Sequence, residues 1–346
     1  MDLLQKLKLQ HPIFLSPMAG VSTAQLAAEV SMQGALGSLG LGASTVASAR
    51  EQILATQKIC DGPLHLNFFC HQTVSPDPVS MQNWINTLKP AFEKFSATPP
   101  KQLNCIYPSF LDNDDFLELV LETRPTLVSF HFGIPHPHQI QALKQAGILT
   151  MVSATNLVEA QLIEQAGIDI INAQGIEAGG HRGCFNPEID AAIRTADLVK
   201  LIKAHCTCPI VAAGGIMNGQ HIRQMLDIGA SAVQMGTAFL VAKNSNAHAK
   251  YREALLQQQT TQISSSISGR PARALLQHWH REIDLPSRPD VAPYPYAYDI
   301  AKQLHSVASQ HGDHGYGAFW AGANVAQIRD LDCAELIQQL LLEMAN

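Results

Sequence analysis

Charged residues are scarce in this chain of 346 residues, and no basic cluster occurs in it. Only 15% of the residues are charged, and 23 Lys and Arg against 29 Asp and Glu give a net charge of −6. A surface that follows a phosphate backbone needs clustered Lys and Arg. The composition therefore argues against a nucleic-acid partner. With 46% hydrophobic residues, it predicts a compact, heavily buried protein.

Long apolar runs and a secretion signal are also missing. No stretch of about 20 apolar residues is present, so neither a membrane-spanning helix nor a membrane partner is expected. The first residues, MDLLQKLKLQHPIFLSP, lack the apolar core and cleavage site of a signal peptide. Seven cysteines, an odd number spread along the chain, are typical of reduced thiols. We therefore expect a cytoplasmic protein.

The sequence contains neither a metal motif nor a dinucleotide motif. Cys206 and Cys208 are close, and His205 adjoins them, but no second cysteine pair or histidine pattern completes a zinc site. We therefore expect no bound metal. No GxGxxG motif with a downstream acid follows a predicted strand, which argues against a Rossmann-type dinucleotide site.

Short apolar runs alternate with amphipathic stretches over residues 1–240, a pattern typical of repeated βα units. The runs predict eight strands, at Ile13–Pro17, Leu36–Leu39, Leu64–Phe68, Thr126–Phe132, Leu149–Ser153, Asp169–Ala173, Ile210–Ala213 and Ala232–Met235. Eight such units in one chain predict an α/β fold of the TIM (β/α)8 barrel type, which we place in residues 1–243.

Two segments depart from this repeat. Residues 70–125 are too long for one connection and are rich in proline, so we interpret them as an insertion after strand 3 that holds a small helical pair. Residues 244–346 show mainly helical patterns. We expect them to form a helical C-terminal region that folds back over the barrel mouth.

The segment QGIEAGGHRG, residues 174–183, carries the clearest functional signal. It follows a predicted strand, and glycines such as Gly179 and Gly180 allow the backbone to approach a flat or anionic ligand closely. His181 can exchange protons near neutral pH. Together these features indicate a cofactor site with an acid/base residue at its rim. A tight turn with an incidental histidine is the alternative.

Groups at other strand ends indicate a ligand with a flat ring and a phosphate tail. In TIM barrels the working groups lie at the carboxyl ends of the strands, and phosphates usually bind after strands 7 and 8. Glycine turns follow both of those strands, while the turn after strand 1 and the amides after strands 3 and 6 suit a ring. FMN fits this set better than a dinucleotide. The contacts expected from these turns and amides are Pro17, Met18, Ala19, Gly20, Asn67, Gln174, Gly214, Gly215, Gln234, Met235, Gly236 and Thr237.

A second histidine and a tail segment can bind a small substrate. His131 lies at the end of predicted strand 4, where a structural role is equally expected. Tyr294, Tyr298 and Lys302 recur at every fourth position and so share one face of a helix. Two phenols and an ammonium group can hold a small anion, although aromatic stripes more often only pack against a core.

Taken together, these segments resemble the nitronate monooxygenases, formerly called 2-nitropropane dioxygenases, and within them the bacterial class I branch. That family consists of FMN-dependent TIM barrels. The resemblance covers nearly the whole chain. The matching segments are SPMAG (16–20), LNFF (66–69), FHFG (130–133), QGIEAGGHRG (174–183), AAGGI (212–216), QMGTAF (234–239), SGRPAR (268–273) and YPYAYDIAK (294–302), with WAG (320–322) as a weaker match.

The resemblance also implies a reaction. An alkyl nitronate, expected to be propionate 3-nitronate, would give an electron to FMN, and oxygen would then yield a carbonyl compound and nitrite. His181 matches the catalytic histidine, which would take a proton from a neutral nitroalkane or stabilise a nitronate already formed. The other matching active-site positions are Tyr107, His131, Tyr294, Tyr298 and Lys302.

Three other functions fit parts of the sequence. Relatives that share the AGGH motif reduce quinones with NAD(P)H, and an enoyl-acyl-carrier reductase uses a similar barrel. FHFG and the tyrosine–lysine tail favour a small-anion pocket over both. A non-enzymatic flavin-binding protein is the least favoured reading, because the predicted acid/base groups are all present. The expected partners are the nitronate and oxygen, and the expected state is a monomer or homodimer.

Overall fold

Eight parallel strands form a barrel. The computed structural model describes residues 2–257 and 259–345. Its strands are β1 (Ile13–Leu15), β2 (Gly37–Gly40), β3 (Leu64–Phe69), β4 (Leu127–His131), β5 (Leu149–Ala154), β6 (Ile170–Gln174), β7 (Gly180–His181, outside the barrel), β8 (Ile210–Ala213) and β9 (Ala232–Met235). The barrel strands pair in the order β1-β9-β8-β6-β5-β4-β3-β2, and a bridge from Phe14 to Leu36 closes the ring. The predicted TIM barrel is confirmed.

Helices cover the outside of the barrel. Those that follow barrel strands are α2 (Ala24–Met32), α3 (Val46–Ile59), α5 (Asp114–Thr123), α6 (Pro137–Gln145), α7 (Leu157–Gln165), α8 (Thr195–His205) and α9 (Gly219–Asp227). Several begin where a side chain accepts a hydrogen bond from the first turn, as Thr23, Asn156 and Asn218 do. Their buried apolar faces pack on the outward side chains of the strands to form the main core.

The amino-terminal end of the barrel is closed by a short helix, α1 (Leu3–Leu7). Its Leu3 and Leu7 are buried against Phe14, Met151 and other inward side chains of the strands. Apolar side chains therefore close this end of the barrel. The opposite end, where the strands have their carboxyl termini, is left for a ligand.

The segment predicted as an insertion contains two helices with different surroundings. Helix α5 packs beside α3 and α6, in the ring of barrel helices. Helix α4 (Pro78–Glu93) instead packs against α12 (Tyr296–Gln310) of the C-terminal region. The loop between α4 and α5 carries Tyr107 and the 3-10 turn Phe110–Asp112. The chain outside the barrel after β3 is thus α4 together with this loop.

The C-terminal region contains strands as well as helices. Besides α10 (Ala249–Gln257), α11 (His278–Glu282), α12 and α13 (Cys333–Ala345), it forms β10 (Thr261–Ser264) and β11 (Ala272–Leu275). These two strands pair with each other, and β11 pairs with β7, a sheet that the sequence analysis did not predict. Helix α13 packs between α9 and α2 and so completes the ring of barrel helices.

No helix in the described residues is long and apolar enough to cross a lipid bilayer. All seven cysteines are free thiols, and four of them, including Cys206, are buried.

Candidate active site

A deep cavity opens at the carboxyl end of the barrel strands. It encloses about 1330 Å³ of empty space when its open mouth is included. Every site residue predicted from the sequence lines it except Gly20 and Lys302.

These two residues adjoin or contact residues that line the cavity, such as Ala19 and Tyr107. Gly20 shapes the turn after β1 with a φ of +76°, and its carbonyl accepts a hydrogen bond from the Asn246 amide at 3.0 Å. Lys302 is exposed, and its Nζ donates a hydrogen bond to the Tyr107 hydroxyl at 3.1 Å. The ammonium group therefore reaches the cavity only through this phenol.

Glycine turns form one end of the cavity, after β8 and β9. Gly214 and Gly215 have φ values of +126° and +70°, in the left-handed region that favours glycine. A Cβ added to Gly215 would lie 2.9 Å from Glu177 Cβ and 3.0 Å from Asn324 Nδ2. Gly236 and Thr237 form the next turn and also line the cavity. Tight turns of this kind can present backbone N–H groups to an anion.

Polar side chains from the barrel interior form the floor of the cavity. Asn67 on β3 donates through its Nδ2 to the Ser129 hydroxyl at 2.8 Å, and that hydroxyl also bonds His65 Nε2 at 2.6 Å. Because its amide nitrogen is held, Asn67 can offer its carbonyl oxygen to a ligand. Gln234 Oε1 and Asn172 Oδ1 are buried without a hydrogen-bond partner in the described residues. Buried unpaired oxygens are costly, so these two indicate places for a donor-bearing ligand.

The loop after β6 is held rigidly. Gln174 donates to the His181 carbonyl at 2.9 Å and accepts from the Gly183 amide at 2.8 Å and from Arg182 at 3.0 Å. Arg182 is fully buried and forms an ion pair with Asp190 at 2.7 Å. The polar atoms of Gln174 thus serve the loop, even though the residue lines the cavity. The bond to the His181 carbonyl holds the backbone of that residue in place.

His131 has partners at both ring nitrogens. Its Nδ1 bonds the Ser153 hydroxyl at 2.9 Å, and its Nε2 bonds the His181 carbonyl at 3.1 Å. A carbonyl can only accept, so Nε2 carries the proton and Nδ1 accepts from Ser153. Burial lowers the pKa of His131 to about 4, which keeps the ring neutral. In this arrangement His131 supports the loop that carries His181.

His181 lies among aromatic rings at the rim. Its ring centre is 5.1 Å from Trp320, 5.7 Å from Tyr294, 6.0 Å from Tyr298 and 5.6 Å from Phe132. Burial, and then the positive charges of a protonated His131 and of Arg270, lower the pKa of His181 to about 3. The imidazole is therefore neutral at pH 7, with a lone pair on one ring nitrogen.

Three phenols line the same cavity as His181. Tyr107 and Tyr298 have ring centres 5.6 Å apart, and Tyr107 and Tyr294 have theirs 6.3 Å apart. Burial raises the pKa of Tyr107 to about 12 and also raises the pKa of Tyr294 and Tyr298. All three remain protonated at neutral pH and can donate hydrogen bonds. The Tyr294 hydroxyl is buried without a partner in the described residues, so it is available to a ligand.

Several site residues were missed by the sequence analysis. Trp320 closes the cavity beside His181, and its Nε1 donates to the Tyr298 hydroxyl at 3.3 Å. Phe132 has a φ of +77°, which is strained for an aromatic residue. Its ring lies 4.4 Å from the Arg270 guanidinium. Ser268, fully buried, bonds His181. FHFG, SGRPAR and WAG contained these residues, but local patterns gave them no role.

The barrel and its cavity define an enzyme that acts on a small ligand at the strand ends. Comparison with known proteins gives the family. The family profile described as nitronate monooxygenase matches residues 2–343. Nitronate monooxygenases from Pseudomonas aeruginosa and Paraburkholderia phytofirmans are each 46% identical to this chain, covering 98% and 99% of it and 97% and 94% of their own lengths.

The solved structure of nitroalkane oxidase from Streptomyces ansochromogenes is also similar, with a TM-score of 0.90 and 34% identity over 99% of this chain and 98% of that one. The chain therefore belongs to the nitronate monooxygenase family, as its sequence motifs predict, and it is an oxidoreductase. The family is one of flavoenzymes.

Proposed function

We propose that this enzyme uses FMN and oxygen to oxidise small alkyl nitronates, with propionate 3-nitronate as the preferred substrate, to a carbonyl compound and nitrite. The observation that carries this proposal is that the neutral His181 and three protonated phenols line one cavity. Such a pocket offers hydrogen-bond donors to a small anion and a base to its neutral parent acid. We expect the enzyme to work in the cytoplasm as a monomer or homodimer.

The residues present fit FMN. The turns at Gly214–Gly215 and Gly236–Thr237 would hold the phosphate, and Asn67 and Gln234 would bond the ring. A Cβ on Gly179 would lie 2.6 Å from the carbonyl carbon of Ala321 and the amide nitrogen of Gly322, so glycine is needed where this loop meets the segment 320–322. When bound, FMN would accept an electron from the substrate and pass it on to oxygen.

The protein's own part in the reaction is to bind and orient the substrate and to handle one proton. The phenols of Tyr107, Tyr294 and Tyr298 would donate to the nitro oxygens and to the substrate's carboxylate. The Lys302 ammonium increases the donor strength of Tyr107 through their 3.1 Å hydrogen bond. His181 would take the α-proton of a neutral nitroalkane and would then hold that proton against the nitronate that forms.

Oxygen uptake and nitrite release test this proposal together. The purified flavin-loaded protein should consume oxygen and release nitrite when given propionate 3-nitronate. A His181→Asn variant should bind FMN but turn over far more slowly, especially with a neutral nitroalkane. Unchanged turnover in that variant would remove His181 from the mechanism.

The competing reductase reading is tested in the same apparatus. If NAD(P)H reduces the bound flavin, no nitronate does so, and a quinone oxidises the flavin again, the protein is a quinone reductase. A protein that binds FMN but reacts with no nitronate, nitroalkane or nicotinamide would be a flavin-binding protein.

A further inference from the structure

We infer that Ser268 is a positioning residue that fixes the tautomer of His181, so that Nε2 carries the ring proton and Nδ1 is the atom that exchanges a proton with substrate. This inference deepens the proposed function and rests on it. It assigns a role to a serine of the C-terminal region, outside the barrel.

The partners of the Ser268 hydroxyl determine to which of them it donates its proton. Its hydroxyl lies 2.9 Å from His181 Nε2 and 3.1 Å from the Arg270 carbonyl oxygen, and the Arg270 amide nitrogen lies 3.3 Å away. The carbonyl can only accept and the amide can only donate. A serine has one proton, and the carbonyl of Arg270 takes it. The Ser268 oxygen must then accept from His181 Nε2–H.

The opposite arrangement would be costly. If Ser268 donated to His181 Nε2, its proton would no longer reach the Arg270 carbonyl. Ser268 is fully buried and Arg270 is largely buried, so water cannot easily replace that hydrogen bond. The backbone of the SGR turn therefore selects the tautomer of the histidine.

The second ring nitrogen is left free for chemistry. In the described part of the chain, His181 Nδ1 has no hydrogen-bond partner. The choice of tautomer matters because the ring is neutral: burial, together with the charges of a protonated His131 and of Arg270, disfavours the doubly protonated form. A neutral imidazole with its proton on Nε2 has its lone pair on Nδ1.

The position of the ring is fixed as well. Strand β7, which contains His181, pairs with β11 so that His181 lies opposite Ala272. The Arg182 amide donates to the Pro271 carbonyl at 2.8 Å. Ser268 and His181 are thus attached to the same small sheet, and the bond between them does not depend on a mobile side chain.

The proton step follows directly. With a neutral nitroalkane, the α-C–H bond breaks and an N–H bond forms at His181 Nδ1. The electron pair of the C–H bond moves into the C–N bond, and the charge collects on the nitro oxygens that face the phenols. Ser268 keeps its hydrogen bond to Nε2–H and stabilises the imidazolium that results.

The test compares Ser268→Ala with Ser266→Ala. Ser266 is equally buried in the same turn, where it accepts from Trp279 Nε1 at 2.9 Å, but it has no hydrogen bond to His181. Both variants lose buried hydrogen bonds, so Ser266→Ala controls for structural damage. Flavin-loaded proteins with ¹⁵N-labelled imidazoles would be examined by NMR, and the His181→Asn protein would identify the His181 signals.

The wild type and Ser266→Ala should show the Nε2–H tautomer at His181, and Ser268→Ala should show the proton shared between the two nitrogens. In turnover, Ser268→Ala should lower kcat for neutral nitroethane on the order of tenfold, and leave kcat for ethyl nitronate nearly unchanged. Ser268→Thr, which retains the hydroxyl, should restore the wild-type tautomer.

Two results would overturn the inference. One is an unchanged tautomer of His181 in Ser268→Ala. The other is a fall in kcat that is the same for nitroethane and ethyl nitronate, and the same in Ser268→Ala as in Ser266→Ala. The NMR measurement needs no substrate. If the wild type oxidised neither compound, the proposed function would fail, while the tautomer measurement would still decide the role of Ser268.

Discussion

Replacing Tyr107 with phenylalanine tests how the anion is bound. The Tyr107 oxygen accepts from the Lys302 ammonium at 3.1 Å, so its own proton remains for the substrate. A hydrogen bond to a charged group contributes about 1.5–3 kcal/mol. Tyr107→Phe keeps the ring, which packs against Tyr298 and Phe69, and removes the hydroxyl, with this bond and the one from Lys302. The KM for propionate 3-nitronate should therefore rise about 10- to 150-fold.

The value of kcat should change little, because the same bond is made before and during the reaction. Steady-state oxygen consumption at several nitronate concentrations separates the two parameters. Tyr296→Phe is the matched control, since Tyr296 begins α12 but does not line the cavity. A KM within twofold of the wild-type value in Tyr107→Phe, or a fall confined to kcat, would refute this account of anion binding.

Three further outcomes are expected. Gly215→Ala should weaken FMN binding in a fluorescence titration. Gly147→Ala is the control, because Gly147 has a similar φ of +74° but no atom within 4 Å of the added Cβ. It should cost only about 1–2 kcal/mol of folding free energy and leave FMN affinity unchanged. Ser129→Ala should release the Asn67 amide and lower FMN affinity about 3- to 10-fold, and an unaltered affinity would remove Asn67 from the ring contacts. The free energy of unfolding should fall as pH drops from about 6.5 to about 4, by up to about 1.4 kcal/mol per pH unit for each histidine whose pKa is lowered by burial. In this range the unfolded chain binds protons at these histidines, and the folded protein does not. The histidines concerned, whose pKa is lowered to about 3 or about 4, are His65, His71, His131 and His181. Urea unfolding at pH 7 and pH 5 measures this, and equal free energies at both pH values would contradict it.

The barrel could be predicted because its signals are local. Each strand is a short apolar run, and several helices end at a glycine such as Gly147 or Gly167, which adopt positive φ. The cavity could be predicted for a related reason. Parallel strands bring their carboxyl ends to one face of a barrel, so groups that follow different strands in sequence meet in space.

The parts that could not be predicted depend on contacts between distant residues. Strands β10 and β11 carry polar and charged residues such as Gln262 and Arg273, and β11 pairs with β7 across about 90 residues of chain. Ser268 and Trp320 reach His181 only because of that pairing and the neighbouring bridge from Ala274 to Trp320. Lys302 does share a helix with Tyr298, but the Tyr107 phenol lies between its ammonium group and the cavity.

The central claim is that a nitronate, and no nicotinamide, is the electron donor to this site. The most direct test is to mix the flavin-loaded protein with propionate 3-nitronate in the absence of oxygen, follow the flavin absorbance, and then admit oxygen. The account predicts a rapid loss of the oxidised flavin spectrum, followed on aeration by its return and by the release of nitrite. No spectral change with the nitronate, together with rapid reduction by NAD(P)H, would contradict it.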